Sequence, residues 1–356
     1  MSHATSTMSH AGTPTGGTFR AVAAVIFIFA GLLVLPVGAA SGPYRTLSIM
    51  FTSIVLEALP FMLLGALVGG LIEAFVSRER MASLLPKRGL TAICVAAGLG
   101  IVFPVCECAV VPVVRRLLSK GLPFGAGIAY LLAGPIVNPI VAASTALAYG
   151  FEWKIMAMRL GLGYAVAVTA ALVLNRLFPG KSALHDGLEH IAPQPCSCGC
   201  EAPLQHFSQV TNAVVRPSFA SRLGQALRHG TADFLGVAQY LIVGAFVAAV
   251  AQAFVDRSLL LGLASLPALS ILAMTALAVA LNLCSESDAF IAASFSGLMP
   301  PAAQMAFMLT GPMFDLKLLL MYQAVFRKRV IAVLAGLVLL LTVSASMSLL
   351  VLEGWS

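Results

Sequence analysis

Charge is what this chain has least of. Of its 356 residues only 10% are Asp, Glu, Lys or Arg, against about a quarter in soluble domains. With 60% hydrophobic residues and a mean hydropathy of +0.97, it lacks the polar side chains that a soluble fold of this size spreads over its surface. Soluble, fibrous and disordered classes are excluded. Acidic residues are scarcer than basic ones, 14 against 21, for a net charge of +7. In an apolar chain such a surplus marks cytoplasmic flanks of membrane segments, so no nucleic-acid partner is expected. Seven cysteines are too few and too unevenly placed for a secreted disulfide framework. The chain reads as an integral membrane protein with the lipid bilayer as its solvent.

Long apolar runs, by contrast, are abundant. Residues 1–20 are polar and read as a disordered N-terminus. Residues 21–40 are long enough to cross at about 20 residues per span. Arg20 and Ala39-Ala40 also fit a signal peptide; an extra N-terminal helix over 21–47 is the favoured reading. Further apolar segments run at 48–76, 90–114, 121–149, 155–178, 232–255, 259–296, 302–325 and 330–352. The polar stretch 179–230 reads as a cytoplasmic loop between a membrane repeat at 48–178 and a second at 231–356.

The halves match. Ile72-Glu73-Ala74-Phe75-Val76 aligns with Ala251-Gln252-Ala253-Phe254-Val255 at an offset of 179, and Cys106-Glu107-Cys108 with Cys284-Ser285-Glu286 at 178. Pro123 with Pro300, Gly134-Pro135 with Gly311-Pro312, and Asn138 with Asp315 all align at 177. Co-linear matches of this kind indicate a duplication. Charge then sets the orientation. If 90–114 and 259–296 dip in and return, and the N-terminus is inside, 16 of the 21 Lys and Arg are cytoplasmic. Arg45, Lys154, Arg159 and Arg257 are then outside, and Lys317 lies in the membrane. If both hairpins cross, the split is 11 inside and nine outside. The positive-inside rule favours the first arrangement. It also turns equivalent loops of the halves to opposite sides, and puts Trp153 and Trp355 at the outer interface. The expected fold is an all-α polytopic membrane protein of seven spans, with two inverted repeats, re-entrant hairpins and proline-broken helices, a build shared by many secondary transporters.

Two clusters carry chemistry. Phe103-Pro104-Val105-Cys106-Glu107-Cys108 sets a carboxylate between two thiols at a proline break. An ionisable group there is costly and signals function or a partner, and the broken helix can offer carbonyls to a cation. The plainer alternative is an inert thiol pair beside a Glu that reaches the surface. The counterpart, Cys284-Ser285-Glu286-Ser287-Asp288, holds one thiol, two hydroxyls and two carboxylates; its plainer reading is a polar helix cap. Thiolates suit soft cations, and carboxylates suit protons or harder ions. Cys106, Cys108 and Cys284 are thus candidate soft ligands, and Glu107, Glu286 and Asp288, with Ser285 among them, candidate cation or proton groups.

Gly134-Pro135-Ile136-Val137-Asn138-Pro139 and Gly311-Pro312-Met313-Phe314-Asp315 form a second pair of breaks. Proline removes a donor from the helix ladder, and unwound backbone must face protein or a wet cavity. Asn138 and Asp315 are expected at the pathway, unless the breaks serve packing alone; Lys317, two residues on, can neutralise Asp315. Glu57, near Pro60, is a candidate coupling group. In the loop, Cys196-Ser197-Cys198-Gly199-Cys200 brings three thiols close enough for one soft ion, as a capture or sensing site or as an idle redox-labile cluster. Gly180-Lys181-Ser182 resembles the end of a phosphate-binding loop, but Asn175 stands where its leading Gly belongs. An ATPase is excluded, and no cofactor is expected.

Glu57-Ala58-Leu59-Pro60-Phe61, Cys106-Glu107-Cys108 followed by Val111-Pro112-Val113, Ala133 to Pro139, Cys284 to Phe290 and Gly311 to Asp315 resemble a bacterial predicted-permease family. That family includes the ArsP-type organoarsenical efflux permeases and relatives associated with copper or zinc export. The resemblance covers about 48–350 and implies a multi-pass inner-membrane permease, not an enzyme, with a soft metal ion or metalloid as substrate. Two rivals stand beside that reading: a membrane thiol–disulfide oxidoreductase using Cys106 and Cys284, and a metal-sensing scaffold built on the 179–230 loop.

Overall fold

The computed structural model describes residues 43–75, 89–178, 219–254 and 267–353. The segment 21–40, the cysteine loop with Cys196, Cys198 and Cys200, and Trp355 lie outside the described residues. Among the described residues the regular structure is helical. Twelve α-helices follow one another: α1 Pro43–Phe75, α2 Gly89–Gly98, α3 Glu107–Ser119, α4 Phe124–Ala133, α5 Pro139–Ala148, α6 Trp153–Leu177, α7 Phe219–Phe254, α8 Pro267–Leu281, α9 Ser287–Ser294, α10 Pro301–Met313, α11 Leu316–Met321 and α12 Lys328–Glu353. Helix is what apolar segments must form in hydrocarbon, because each backbone group then finds its partner within the segment.

Among the described residues five stretches are long and apolar enough to cross a bilayer: Thr46–Leu71, Trp153–Leu177, Ala226–Val250, Pro301–Ala324 and Lys328–Leu352. The protein is a multi-pass membrane protein. Helices α2, α4 and α5 have ten residues each and α9 has eight, too short to cross about 30 Å at 1.5 Å per residue. The short helices are joined end to end by breaks at 102–106, 134–138, 282–286 and 314–315. Segment 121–149, read from sequence as one span, is therefore two ten-residue helices, α4 and α5. Helix α7 begins at Phe219, so part of the stretch read as loop is helical.

The element order repeats: a long helix, two broken pairs, a long helix, then the same again. So does the packing. Contacts of α2 on α4, α4 on α6, α2 on α6 and α3 on α4 recur as α8 on α10, α10 on α12, α8 on α12 and α9 on α10. Helices α1, α4 and α6 each touch their own counterparts α7, α10 and α12. Even the turns correspond. Gly121 and Gly297 take positive φ values of 99° and 85°, open to glycine without strain, and Pro123 and Pro300 then cap α4 and α10.

The largest buried cluster draws residues from both halves, including Met62, Val111, Ile128, Ala167, Leu241, Leu318 and Leu334. Helix α10 is the middle of a second cluster, where Ala302 to Leu309 pack with Ile271, Met274 and Ala289; the stretch Pro301–Ala324 is 83% buried, against 33% for Lys328–Leu352. The α10–α11 stretch is thus enclosed by the other helices, whereas Ile101, Val102 and Phe103 beside the first break are exposed.

Candidate functional site

Each break frees backbone groups that lipid cannot satisfy, and in each a side chain supplies partners. At 102–106, the Phe103 carbonyl accepts from the Tyr130 hydroxyl at 3.4 Å. At 134–138, Asn138 donates to the Gly134 carbonyl and its Oδ1 accepts from the Val141 N–H at 2.8 Å, capping α5. At 314–315, Asp315 Oδ1 accepts from the Leu318 N–H at 2.5 Å, capping α11. At 282–286, Asn282 takes a positive φ of 49°; its Nδ2 donates to the Val279 and Ala280 carbonyls, and its Oδ1 accepts the Lys317 N–H. Asn138 and Asp315, expected at the pathway, are thus buried helix caps. Gly134, Pro135, Gly311 and Pro312 are buried with them, while Pro139, at the first turn of α5, is exposed.

The two breaks at 102–106 and 282–286, the two tips of the site, meet. A narrow cleft between them is lined by Glu57, Ala58 and Phe61 of α1, by Cys106, Glu107 and Cys108 of the first tip, by Asn282, Cys284 and Glu286 of the second, and by Lys317. Its freely accessible volume is about 10 Å³, room for one water or ion. Ser285 Oγ donates to Glu107 Oε2 at 3.5 Å and to Glu286 Oε2 at 3.4 Å. Glu107 and Ser285 are equivalent positions of the duplicated motif, so the halves touch there at matching residues. The Cys284 thiol donates to Glu286 Oε2 at 3.0 Å and faces Ser287 Oγ at 3.5 Å; the Cys108 thiol lies 3.8 Å from Glu107 Oε1. Cys94, Cys106, Cys108 and Cys284 are all free thiols.

Two buried cations complete the site. Lys317 Nζ is 3.3 Å from Glu107 Oε1 and 3.9 Å from Asp315 Oδ2. It is the partner that a membrane-buried Glu107 needs. Arg159, counted with the outer set by the charge pattern, is not a loop residue but is fully buried in α6. It donates to Thr145 Oγ1 and to the Ser285 carbonyl, both at 2.8 Å, and lies 4.0 Å from Asp288 Oδ2. Each tip is therefore gripped by a cation of the other half: the first by Lys317, the second by Arg159. Both roles escape sequence reading because the contacts join residues 210 and 126 positions apart. The available signal is a cation set inside an apolar segment, Arg159 in 155–178 and Lys317 in 302–325.

Acidic side chains outnumber basic ones at the site. Glu107, Asp288 and Asp315 are fully buried against two cations, and Glu57 and Glu286 add carboxylates at the cleft wall. Such a site draws protons or cations. Among the described residues no three Cys, His, Asp or Glu side chains converge closely enough to hold a metal ion as they stand.

A family model described as a predicted permease, of the ArsP type, matches residues 44–350. Protein YcgR of Bacillus subtilis is 37% identical over 308 residues, covering 86% of this chain and 98% of that protein. A protein of Streptococcus mutans, named as a subunit of a two-component membrane permease complex, is 34% identical over 290 residues, covering 81% of this chain and 89% of its own. No solved structure matches. With the family model spanning all twelve described helices but the two outermost ends, the chain belongs to this predicted permease family.

Proposed function

We propose that the protein is an inner-membrane secondary permease that exports a soft metal ion or metalloid, of the organoarsenical, copper or zinc class, in exchange for protons. One observation carries the reading: thiols and carboxylates from both halves share one ion-sized cleft at the meeting of two broken hairpins. The mirrored element order and the charge pattern support inverted repeats with re-entrant hairpins, so that rocking one half against the other opens the cleft to either side in turn.

Thiolate is the form that binds a soft ion. Cys106, Cys108 and Cys284 would lose protons on binding, and Glu107, Glu286, Asp288 and Glu57 lie close enough to accept them. Return of the protons from the outer side resets the site. The three thiols of the loop, Cys196, Cys198 and Cys200, would gather ions before they enter. The streptococcal relative's name suggests a second subunit for this chain as well.

Glu107→Gln keeps size and hydrogen bonding but removes the charge. The variant should insert normally and lose most metal uptake into inverted vesicles, with Cys106→Ser similar. Wild-type flux in both variants would remove the cleft from the pathway. Because Cys106 and Cys284 line the same cleft, an oxidoreductase remains the second reading. A Cys106–Cys284 disulfide in cells, detected by thiol mobility shift, would favour it.

A further inference from the structure

The ion pair in the cleft is held firmly at one end and loosely at the other. The Lys317 backbone is fixed: its N–H donates to Asn282 Oδ1 at 2.8 Å. A Cβ on Gly244 would sit 3.0 Å from its Cα, so α7 presses directly on it. Its ammonium, on a flexible four-carbon stem, is not so fixed. It stands 3.3 Å from Glu107 Oε1, longer than the 2.7–2.9 Å of a well-made charged hydrogen bond. On its other side, Asp315 Oδ2 is 3.9 Å away, wholly buried, and accepts no hydrogen bond.

A buried, unsatisfied carboxylate oxygen is costly, and capping does not explain it. The duplicated frame supplies the control. At the equivalent break Asn138, a neutral amide, caps α5 through the same Oδ1-to-N–H bond. At the offset that aligns Asn138 with Asp315, Lys317 falls on Ile140. The Asp315 and Lys317 charges are thus an addition to one half, and helix geometry does not require them.

We infer that Lys317 is a tethered cation with two resting places. In the empty site its ammonium neutralises Glu107; an incoming metal cation takes Glu107 and displaces the ammonium onto Asp315. The cleft, with room for one ion, is then never without a cation beside Glu107, and the returning ammonium helps expel the substrate. The inference rests on the proposed function in taking the cleft for the substrate site, and it names the substrate's charge as positive.

The test is calorimetric titration of zinc and of cadmium, each alone, into the full chain in lipid nanodiscs. Cys196→Ser, Cys198→Ser and Cys200→Ser are present in every sample, so that the loop does not contribute. Asp315→Asn keeps the cap but removes the second resting place, and should weaken binding about tenfold, the equivalent of about 1.4 kcal/mol. Lys317→Met with Asp315→Asn keeps the charge balance and removes the competitor, and should tighten binding about tenfold. Lys317→Arg should restore the starting affinity to within a few fold. Melting temperatures recorded alongside separate these effects from folding damage, which cannot move affinity in opposite directions. Unchanged affinity in Asp315→Asn, no gain in the double variant, or no binding by any chain overturns the inference. Flux from proteoliposomes judges the permease reading separately: binding without flux in the starting chain defeats that reading and leaves the tethered cation to stand or fall on the affinities.

Discussion

Removing Arg159 should cost more stability than removing any single thiol of the cleft. Its guanidinium is fully buried and holds Thr145, the Ser285 carbonyl and the neighbourhood of Asp288 at once. Arg159→Met leaves Asp288 without a counter-charge, a loss of about 3–5 kcal/mol for a broken buried pair. Arg159→Lys keeps the charge but cannot reach both oxygens with a planar fork, so it should fall between wild type and Met. Thermal unfolding in nanodiscs ranks the three; equal melting of the Lys and Met variants would mean that charge is not what Arg159 contributes. The cysteine loop is expected to behave differently. Replacing Cys196, Cys198 and Cys200 with Ser should lower resistance at low metal and leave maximal flux nearly intact, because a polar loop can gather ions yet cannot form the membrane path. Complete loss of flux in that variant, at normal expression, would make the loop part of the path. Glu107 and both tip cysteines are legible in the sequence, since a carboxylate between thiols in an apolar run has few innocent explanations. Arg159 is not, and Lys317 is only in part: its place in the membrane and its neighbour Asp315 are legible, but its pairing with Glu107, 210 residues away, is not.

At the scale of elements, the breaks depend on close approach. Gly311, in the last turn of α10, is backed by Asp288: a Cβ there would lie 2.7 Å from Oδ2 and 3.3 Å from both Cγ and Oδ1. Gly311→Ala must push α9 away from α10 and should destabilise by about 1–3 kcal/mol, as overpacking does, with transport falling in step. Gly336, in α12, has open space around its Cβ position. Gly336→Ala should be neutral or stabilising by up to about 1 kcal/mol. Equal melting of the two variants would show that Asp288 does not need the contact. Proline made three breaks readable, through Pro104, Pro135 and Pro312, although the chain parts at Phe314–Asp315, just past Pro312. The break at 282–286 contains no proline. What betrays it is the density of polar side chains, and what makes it is Asn282 in the left-handed region, capping α8 with its own amide.

For the whole molecule, the open question is which way each half faces, and the burial of Arg159 sharpens it. With that residue removed from the outer set, only Arg45, Lys154 and Arg257 oppose the 16 cytoplasmic Lys and Arg of the hairpin arrangement, so the bias strengthens. The structure adds one constraint. Arg116, near the end of α3, pairs with Asp233 in α7, and Arg115 lies 3.9 Å from the same carboxylate. The end of α3 and the first part of α7 therefore lie at the same level of the molecule. Reporter fusions at residues 118 and 190 decide which way the halves face. Both should read cytoplasmic, with a C-terminal fusion outside. Two outer readings would mean that the hairpins cross and the positive charges lie on the wrong face. Opposite readings for the two positions would sink the inverted-repeat arrangement.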